Sequence, residues 1–267
     1  MTQPRVVVWF SCGAASAVAA KLAVQEYGKR CVVAYCDTGG EHPSNKQFLS
    51  DVEKWLGQEI IILKNKKGYT DHFDVYRKTR YLNGIAGARC TVELKKRCRF
   101  DFQLPDDIHV FGYTAEEANR AEKFANNNPE LSTDWILIRK SVFKEDCLGV
   151  LWRVGIKIPK LYDQGYNHNN CIGCSKGGQG YWNKIRVDYP EHFNKMAKIE
   201  REIDHSLFRD KENKPIFLDE LDPKAGNFTK EPPISCGLSC GMITAEVSQG
   251  ETIYERGKAD ASVRDEA

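Results

Sequence analysis

A chain of 267 residues with 41% hydrophobic and 28% charged residues has enough apolar side chains for a sizeable core, as one large α/β domain or one domain with an appendage. Its formal net charge of +2 neither proposes nor excludes a nucleic-acid partner, so local charge has to decide that question. The longest apolar runs, such as 6–10 and 60–63, are far too short to cross a bilayer, and the N-terminus lacks the basic-then-apolar layout of a secretory signal; both predict a cytoplasmic protein with no membrane partner. In that compartment the 10 cysteines stay reduced and are available for metal binding or catalysis rather than a disulfide framework.

The run Val6–Phe10 predicts a strand that breaks into the small residues Ser11, Cys12, Gly13, Ala14, Ala15 and Ser16. A helix follows over Ser16–Tyr27, with Val18, Leu22 and Ala23 on one face. Uncovered backbone N–H groups at a helix start, with hydroxyls beside them, suit a phosphate. The same residues also suit an ordinary strand-to-helix turn capped by Ser16. Val32–Cys36 predicts the second strand and Ser44–Leu56 a helix with Phe48, Val52 and Trp55 inward. Ile60–Leu63, His109–Gly112 and Trp135–Ile138 predict further strands. Short β-branched or aromatic runs separated by amphipathic stretches predict an α/β fold, a mainly parallel sheet with helices on both faces. Ligands of such sheets bind beyond the carboxyl ends of the strands, where the loop 11–16 and the segment from Asp37 to His42 both fall.

The basic run Lys95, Lys96, Arg97 and Arg99 reads either as a set of phosphate partners or as a solvated helix face. Cys98 within it could join Cys90 or sit on that surface helix. Glu117 and Arg120, three apart on the helix after the fourth strand, suit a site or a plain intrahelical ion pair. Cys31, Cys36 and Cys147 lie in apolar patterns, where cysteine acts as a small hydrophobe. The stretch 181–201 predicts two helices interrupted at Pro190. From His205 the composition turns charged and proline-bearing, which places one domain at 1–204 and an extension at 205–267 with a frayed tail.

The strongest metal signal is the Cys-x-x-Cys turn Cys171 to Cys174, with Cys90 between Arg89 and Thr91 and two more thiols at Cys236 and Cys240. Thiolates at such turns hold zinc or an iron–sulfur cluster, and spacing alone does not choose between them. A zinc staple with no catalytic part is equally compatible with the pair.

With these residues assembled, the chain resembles the phosphoadenosine phosphosulfate (PAPS) reductase family of the adenine-nucleotide alpha-hydrolase-like superfamily, and in particular its compact phage- and prophage-type members. The matching pieces are the pyrophosphate loop 11–16, the stretch from Cys36 to Pro43, Gly87 to Lys95, Phe111 to Arg120, and Asn169 to Trp182. The resemblance implies a Rossmann-like sheet with a helical cysteine-bearing region. It also implies an adenine nucleotide, ATP or PAPS, held by the loop and surrounded by Asp37, Thr38, Lys95, Glu117 and Arg120. A [4Fe–4S] cluster on Cys90, Cys171 and Cys174 is implied too, with Cys236 or Cys240 as a fourth ligand or one iron left open; zinc is the alternative. Two departures stand out. Cys12 replaces the first glycine and Ala15 the aspartate of the usual Ser-Gly-Gly-x-Asp-Ser loop, which weakens the case for magnesium-assisted ATP cleavage. The string Ser235 to Cys240 keeps the Cys-Gly-Leu core of the reductase C-terminus without its flanking acid and histidine.

Three readings follow. In the first, the chain is an enzyme of ATP-dependent, cluster-dependent sulfur transfer to a nucleic acid or nucleotide, with Lys95 stabilising charge at the α-phosphate and an external sulfur donor. In the second it is a sulfonucleotide reductase in which Cys236 or Cys240 attacks PAPS and a thiol donor completes the cycle. In the third it binds nucleotide as a regulator without turnover. A homodimer is the expected assembly.

Overall fold

The computed structural model describes residues 3–84, 87–232 and 234. Strands β1 (Val6–Phe10), β2 (Cys31–Cys36) and β3 (Ile60–Leu63) alternate with helices α1 (Ala14–Tyr27) and α2 (Asn45–Leu56). After helix α3 (His72–Thr79) comes a continuous helical stretch made of α4 (Arg89–Thr91), a widened π-turn over Val92–Lys96, and α5 (Arg97–Phe102). Strand β4 (Ile108–Phe111), helix α6 (Ala118–Asn127), strand β5 (Ser132–Asp134) and the short helix α7 (Ile136–Arg139) follow. Helices α8 (Lys144–Arg153), α9 (Lys160–Asp163), α10 (Gln179–Asp188) and α11 (Pro190–Ile203) complete the helical part. A two-stranded hairpin of β6 (Phe208–Arg209) and β7 (Pro215–Ile216) packs after them.

The five-stranded sheet has the order β3-β2-β1-β4-β5 and every pairing in it is parallel. β1 is central and fully covered, and its side chains alternate between two cores as the pleat requires. Val6, Val8 and Phe10 join Ala17, Val33, Phe48 and Leu151 on one face, while Val7 and Trp9 join Ala34, Cys36, Cys98 and Phe111 on the other. A third core lies away from the sheet, where Phe73, Tyr76, Cys90, Cys174, Trp182 and Met196 pack together between α3, α10 and α11. No helix among the described residues is long and apolar enough to cross a membrane.

Two expectations need correction. Trp135–Ile138 is not a strand: the edge strand is the polar Ser132–Asp134, which pairs Ile108 with Ser132, and the apolar residues form α7 instead. Ile136 and Leu137 are both buried in the α1 core, an adjacency that one helical turn provides as readily as a covered strand, so four apolar residues do not decide between them. Of the two readings left open for the basic run, the solvated face does not hold. Lys95, Lys96 and Arg99 are buried, and Glu93 in the same stretch pairs with Arg89 at 2.8 Å, Arg97 at 3.1 Å and Lys67 at 3.4 Å. Pro190, by contrast, separates two helices as its fixed φ and missing N–H predict, standing at the first turn of α11.

Candidate functional site

The order β3-β2-β1-β4-β5 reverses direction between β1 and β4, so the exits of these two strands diverge and open a crevice at the carboxyl edge of the sheet. Its volume is about 560 Å³. Ser11, Gly13, Ala14, Ala15 and Ser16 line it together with the adjoining Gly112 to Thr114, and Lys95, Glu117, Arg120 and Lys144 line it as well.

The loop is shaped from within. Cys12 takes a left-handed conformation with φ of 53°, the geometry for which glycine is the usual choice. The Ser16 hydroxyl accepts from the N–H groups of Ser11 at 3.1 Å and Gly13 at 3.3 Å and donates to the Gly13 carbonyl at 2.9 Å. Ser16 therefore braces the loop. No acidic side chain occupies the first turn of α1, so nothing there neutralises its positive end. The loop also presses on β4: a Cβ at Gly112 would stand 2.7 Å from the Ser16 nitrogen, a distance only glycine permits.

Beneath the loop lies a charge cluster that residue pattern alone did not single out. The Glu41 side chain is 5% exposed, accepts from the Tyr35 hydroxyl at 2.9 Å and from the Asn45 amide at 2.8 Å, and stands 3.8 Å from the Lys95 ammonium. Burial raises the Glu41 carboxyl above its ordinary range while Lys95 opposes the shift. Burial, followed by the Glu41 charge, pushes the Cys12 thiol and the Tyr35 phenol well up, so both stay protonated. On the far flank Glu117 caps Thr114 and pairs with Arg120, whose guanidinium lies 4.6 Å from the centre of the Tyr113 ring. The plain ion pair expected for Glu117 and Arg120 is thus present, and it is set in the crevice wall.

The thiols lie behind this crevice. Cys90 on α4 has its sulfur 3.1 Å from the Tyr76 hydroxyl, which also donates to Ser175 at 2.9 Å, and both Cys90 and Cys174 bear electrostatically on Tyr76. The Tyr181 hydroxyl accepts from the Gly173 and Cys174 N–H groups at 3.0 and 3.1 Å. The Cys171 sulfur is 3.2 Å from the Thr38 hydroxyl. Cys90, Cys171 and Cys174 are all buried, with the Cys90 sulfur against the Tyr76 hydroxyl, the Cys174 N–H on the Tyr181 hydroxyl and the Cys171 sulfur against Thr38, although Cys171 lies 81 positions after Cys90. His72 joins them, fully buried, with Nε2 at 3.3 Å from the Gly173 carbonyl and no partner on Nδ1 among the described residues. A Cβ on Gly40 would strike both the His72 ring and, at 3.3 Å, the Cys171 sulfur. Among the described residues no three His, Cys, Asp or Glu side chains are arranged to hold a single metal ion.

Asn169 joins the two halves, donating to the Cys12 carbonyl and to the Asn45 side chain, each at 2.8 Å, while Ile172 donates to the Gly40 carbonyl at 3.0 Å. Of the residues expected at the nucleotide, Asp37 and Thr38 lie outside the crevice lining: Asp37 accepts from Gly39 N–H at 3.0 Å, and Thr38 faces Cys171. Cys12 contributes its backbone rather than its thiol. Cys98 belongs with Cys36, not with Cys90. Cys236 and Cys240 lie outside the described residues.

These features define an α/β protein with an anion-suited crevice at the switch point of a parallel sheet and a buried thiol-rich wall behind it. Solved structures similar to this chain are phosphoadenylyl-sulfate (PAPS) reductase from Candida auris in a phosphate complex and the U34-tRNA thiolase NcsA from Methanococcus maripaludis with its [4Fe–4S] cluster. The first is 12% identical, with a TM-score of 0.44 over 64% of this chain and 82% of the other. The second is 14% identical, with a TM-score of 0.45 over 92% of this chain and 84% of the other. An uncharacterized protein of Methanocaldococcus jannaschii is 29% identical over 208 residues, which cover 74% of this chain. The match spans 42% of that relative's length. No family model matches the chain.

Proposed function

We propose that this chain is a PAPS-reductase-like enzyme that binds an adenine nucleotide in the crevice and carries out iron–sulfur-dependent sulfur transfer to a nucleic-acid or nucleotide acceptor. The observation that carries this reading is the joint at Asn169, which bonds the cysteine-bearing segment directly to the phosphate loop. Nucleotide and thiol chemistry would then share one wall.

In this reading the N–H groups at the start of α1 hold the phosphates, and Lys95 stabilises the negative charge that grows at the α-phosphate. Glu41, 3.8 Å from the Lys95 ammonium, gives that buried cation a counter-charge. Arg120 and Lys144 offer further cations to the anionic ligand. Ala15 removes the loop carboxylate, so these cations take the charge-balancing role that magnesium would otherwise share.

Cys90, Cys171 and Cys174 would hold the cluster. Zinc needs every donor within bonding distance of one point, about 2.3 Å for sulfur. A cluster takes each thiolate on a different iron, so its ligands need not converge on one point. A bound cluster would supply redox-active iron and a soft place to carry sulfide. The supporting experiment is anaerobic purification with an absorption spectrum and iron, sulfide and zinc analysis, alongside titration with ATP, AMP and PAPS. Iron and sulfide in near-equal amounts with nucleotide affinity support the reading. A protein that takes up no iron on reconstitution and binds none of the three nucleotides overturns it.

A further inference from the structure

Helix α8 carries a row of side chains that starts in the crevice and leaves it. Lys144, Leu148 and Trp152 are spaced four apart and follow one ridge of the helix. Lys144 and Leu148 line the crevice, and Trp152 stands one turn, about 6 Å, further along the axis. The neighbouring face of α8 packs into the α1 core through Cys147 and Leu151, both fully buried, whereas Trp152 is 82% exposed. Its backbone is nevertheless fixed. The Trp152 carbonyl accepts from the Gly155 N–H at 3.1 Å and the Leu151 carbonyl from Ile156 at 3.0 Å, with Gly155 at a φ of 74°, so the helix ends in a Schellman turn directly beneath the ring. The chain rejoins the crevice lining at Tyr162.

A lone exposed tryptophan is ordinary on a protein surface, but the surroundings of this one carry a single sign of charge. Between positions 147 and 162 the sequence has Arg153, Lys157 and Lys160 and no acidic residue. All three cations are exposed, and none has an ion-pair partner among the described residues. The acids of α8, Glu145 and Asp146, lie in its first turn, at the opposite end of the helix from Trp152. A flat ring on which a base can stack, beside cations that can pair with phosphates, fits a single strand, in which base faces and phosphates are both accessible. A duplex offers the phosphates but keeps its base faces stacked.

We propose that the segment 152–160 docks single-stranded nucleic acid at the edge of the crevice, with an unpaired base on Trp152 and backbone phosphates on Arg153, Lys157 and Lys160. This rests on the proposed function in taking the acceptor to be a nucleic acid rather than a free nucleotide. The ridge of α8 then leads from the docked base past Leu148 to Lys144, and so presents the strand to the crevice.

The test measures fluorescence anisotropy of labelled single-stranded RNA, single-stranded DNA of the same sequence, and the blunt duplex, each titrated with the full chain over a series of salt concentrations. Single strands should bind more tightly than the duplex, and preference for RNA over DNA reports contacts to the 2′-hydroxyl. Trp152→Ala should weaken single-strand binding about tenfold or more, and Trp152→Tyr should restore most of it, because a smaller ring still stacks. The triple change Arg153→Ala, Lys157→Ala, Lys160→Ala should lower the slope of log affinity against log salt by about 2, from three phosphate contacts at about 0.7 each. All these side chains are exposed, so thermal midpoints should match the wild type. No binding of any strand, equal affinity for the duplex, or Trp152→Ala protein that binds single strands as the wild type does overturns the proposal. Self-association abolished by Trp152→Ala, with no strand bound, would make the patch a protein interface and overturns it too. The assay needs neither cluster nor mononucleotide. Strand binding without iron or ATP, AMP and PAPS binding therefore counts against the proposed function alone, and the converse result against this docking surface alone.

Discussion

Asn169 donates one amide hydrogen to the Cys12 carbonyl and the other to Asn45 Oδ1, each at 2.8 Å, in a site only 6% exposed. Replacing it by alanine leaves two buried acceptors without donors, which costs about 1–3 kcal/mol in stability. Because one acceptor belongs to the loop 11–16, Asn169→Ala should, under the proposed function, also weaken ATP or PAPS binding. Chemical denaturation and a nucleotide titration check both effects; an unchanged midpoint would mean that the joint is not formed.

Ser16→Ala removes the brace that satisfies the Ser11 and Gly13 N–H groups. We expect a loss of about 1 kcal/mol in stability and a weaker phosphate contact, since the loop no longer presents its donors in one direction. Isothermal titration with ATP and PAPS reads the second effect.

Gly112→Ala places a methyl carbon 2.7 Å from the Ser16 backbone nitrogen, where backbone rather than a flexible side chain must yield. Overpacking of this kind costs about 1–3 kcal/mol. Nucleotide affinity should fall with it, because the strain is delivered at the first turn of α1. A variant with wild-type melting behaviour would show that the loop and β4 are further apart.

Lys95→Met should lower nucleotide affinity by about tenfold or more through loss of a charge-assisted contact, and should leave Glu41 buried without its cation. The double change Lys95→Met, Glu41→Gln removes both charges and should recover stability without recovering affinity. Comparing the two variants in a thermal melt and a binding titration separates the structural part from the site part.

His109 provides a pH signature. Trp9 donates its indole N–H to His109 Nδ1 at 3.0 Å, which requires the neutral ring, and burial, followed by the Arg99 charge, lowers its pKa to about 4. The folded value lies below the unfolded value of about 6.5. The stabilisation is complete above pH 6.5 and is lost progressively as pH falls towards 4, by about 3 kcal/mol in all. His109→Gln keeps an acceptor for the indole and removes the titration. Urea unfolding followed by tryptophan fluorescence should show a smaller acid loss in the variant than in the wild type.

The sequence alone determined the elements whose cause is local. The β-branched runs at 6–10 and 60–63, the small-residue break after Phe10 and the proline at 190 act through neighbours a few residues away, and the structure shows each. The rule that parallel sheets bind ligands beyond their carboxyl ends then located the crevice. Only the tertiary structure decided which polar residues are buried in it. Glu41 reads as one more loop carboxylate until the ends of β2 and α2 and the π-turn enclose it against Tyr35, Asn45 and Lys95. The basic run at 95–99 reads equally as phosphate partners or as a solvated face until Lys95, Lys96 and Arg99 are seen to be buried and Arg97 to pair with Glu93. The family resemblance puts Thr38 beside the nucleotide, yet its hydroxyl lies 3.2 Å from the Cys171 sulfur. Each of these outcomes depends on the desolvation of a charge or hydroxyl by chain segments remote in sequence, an energy that no local pattern encodes.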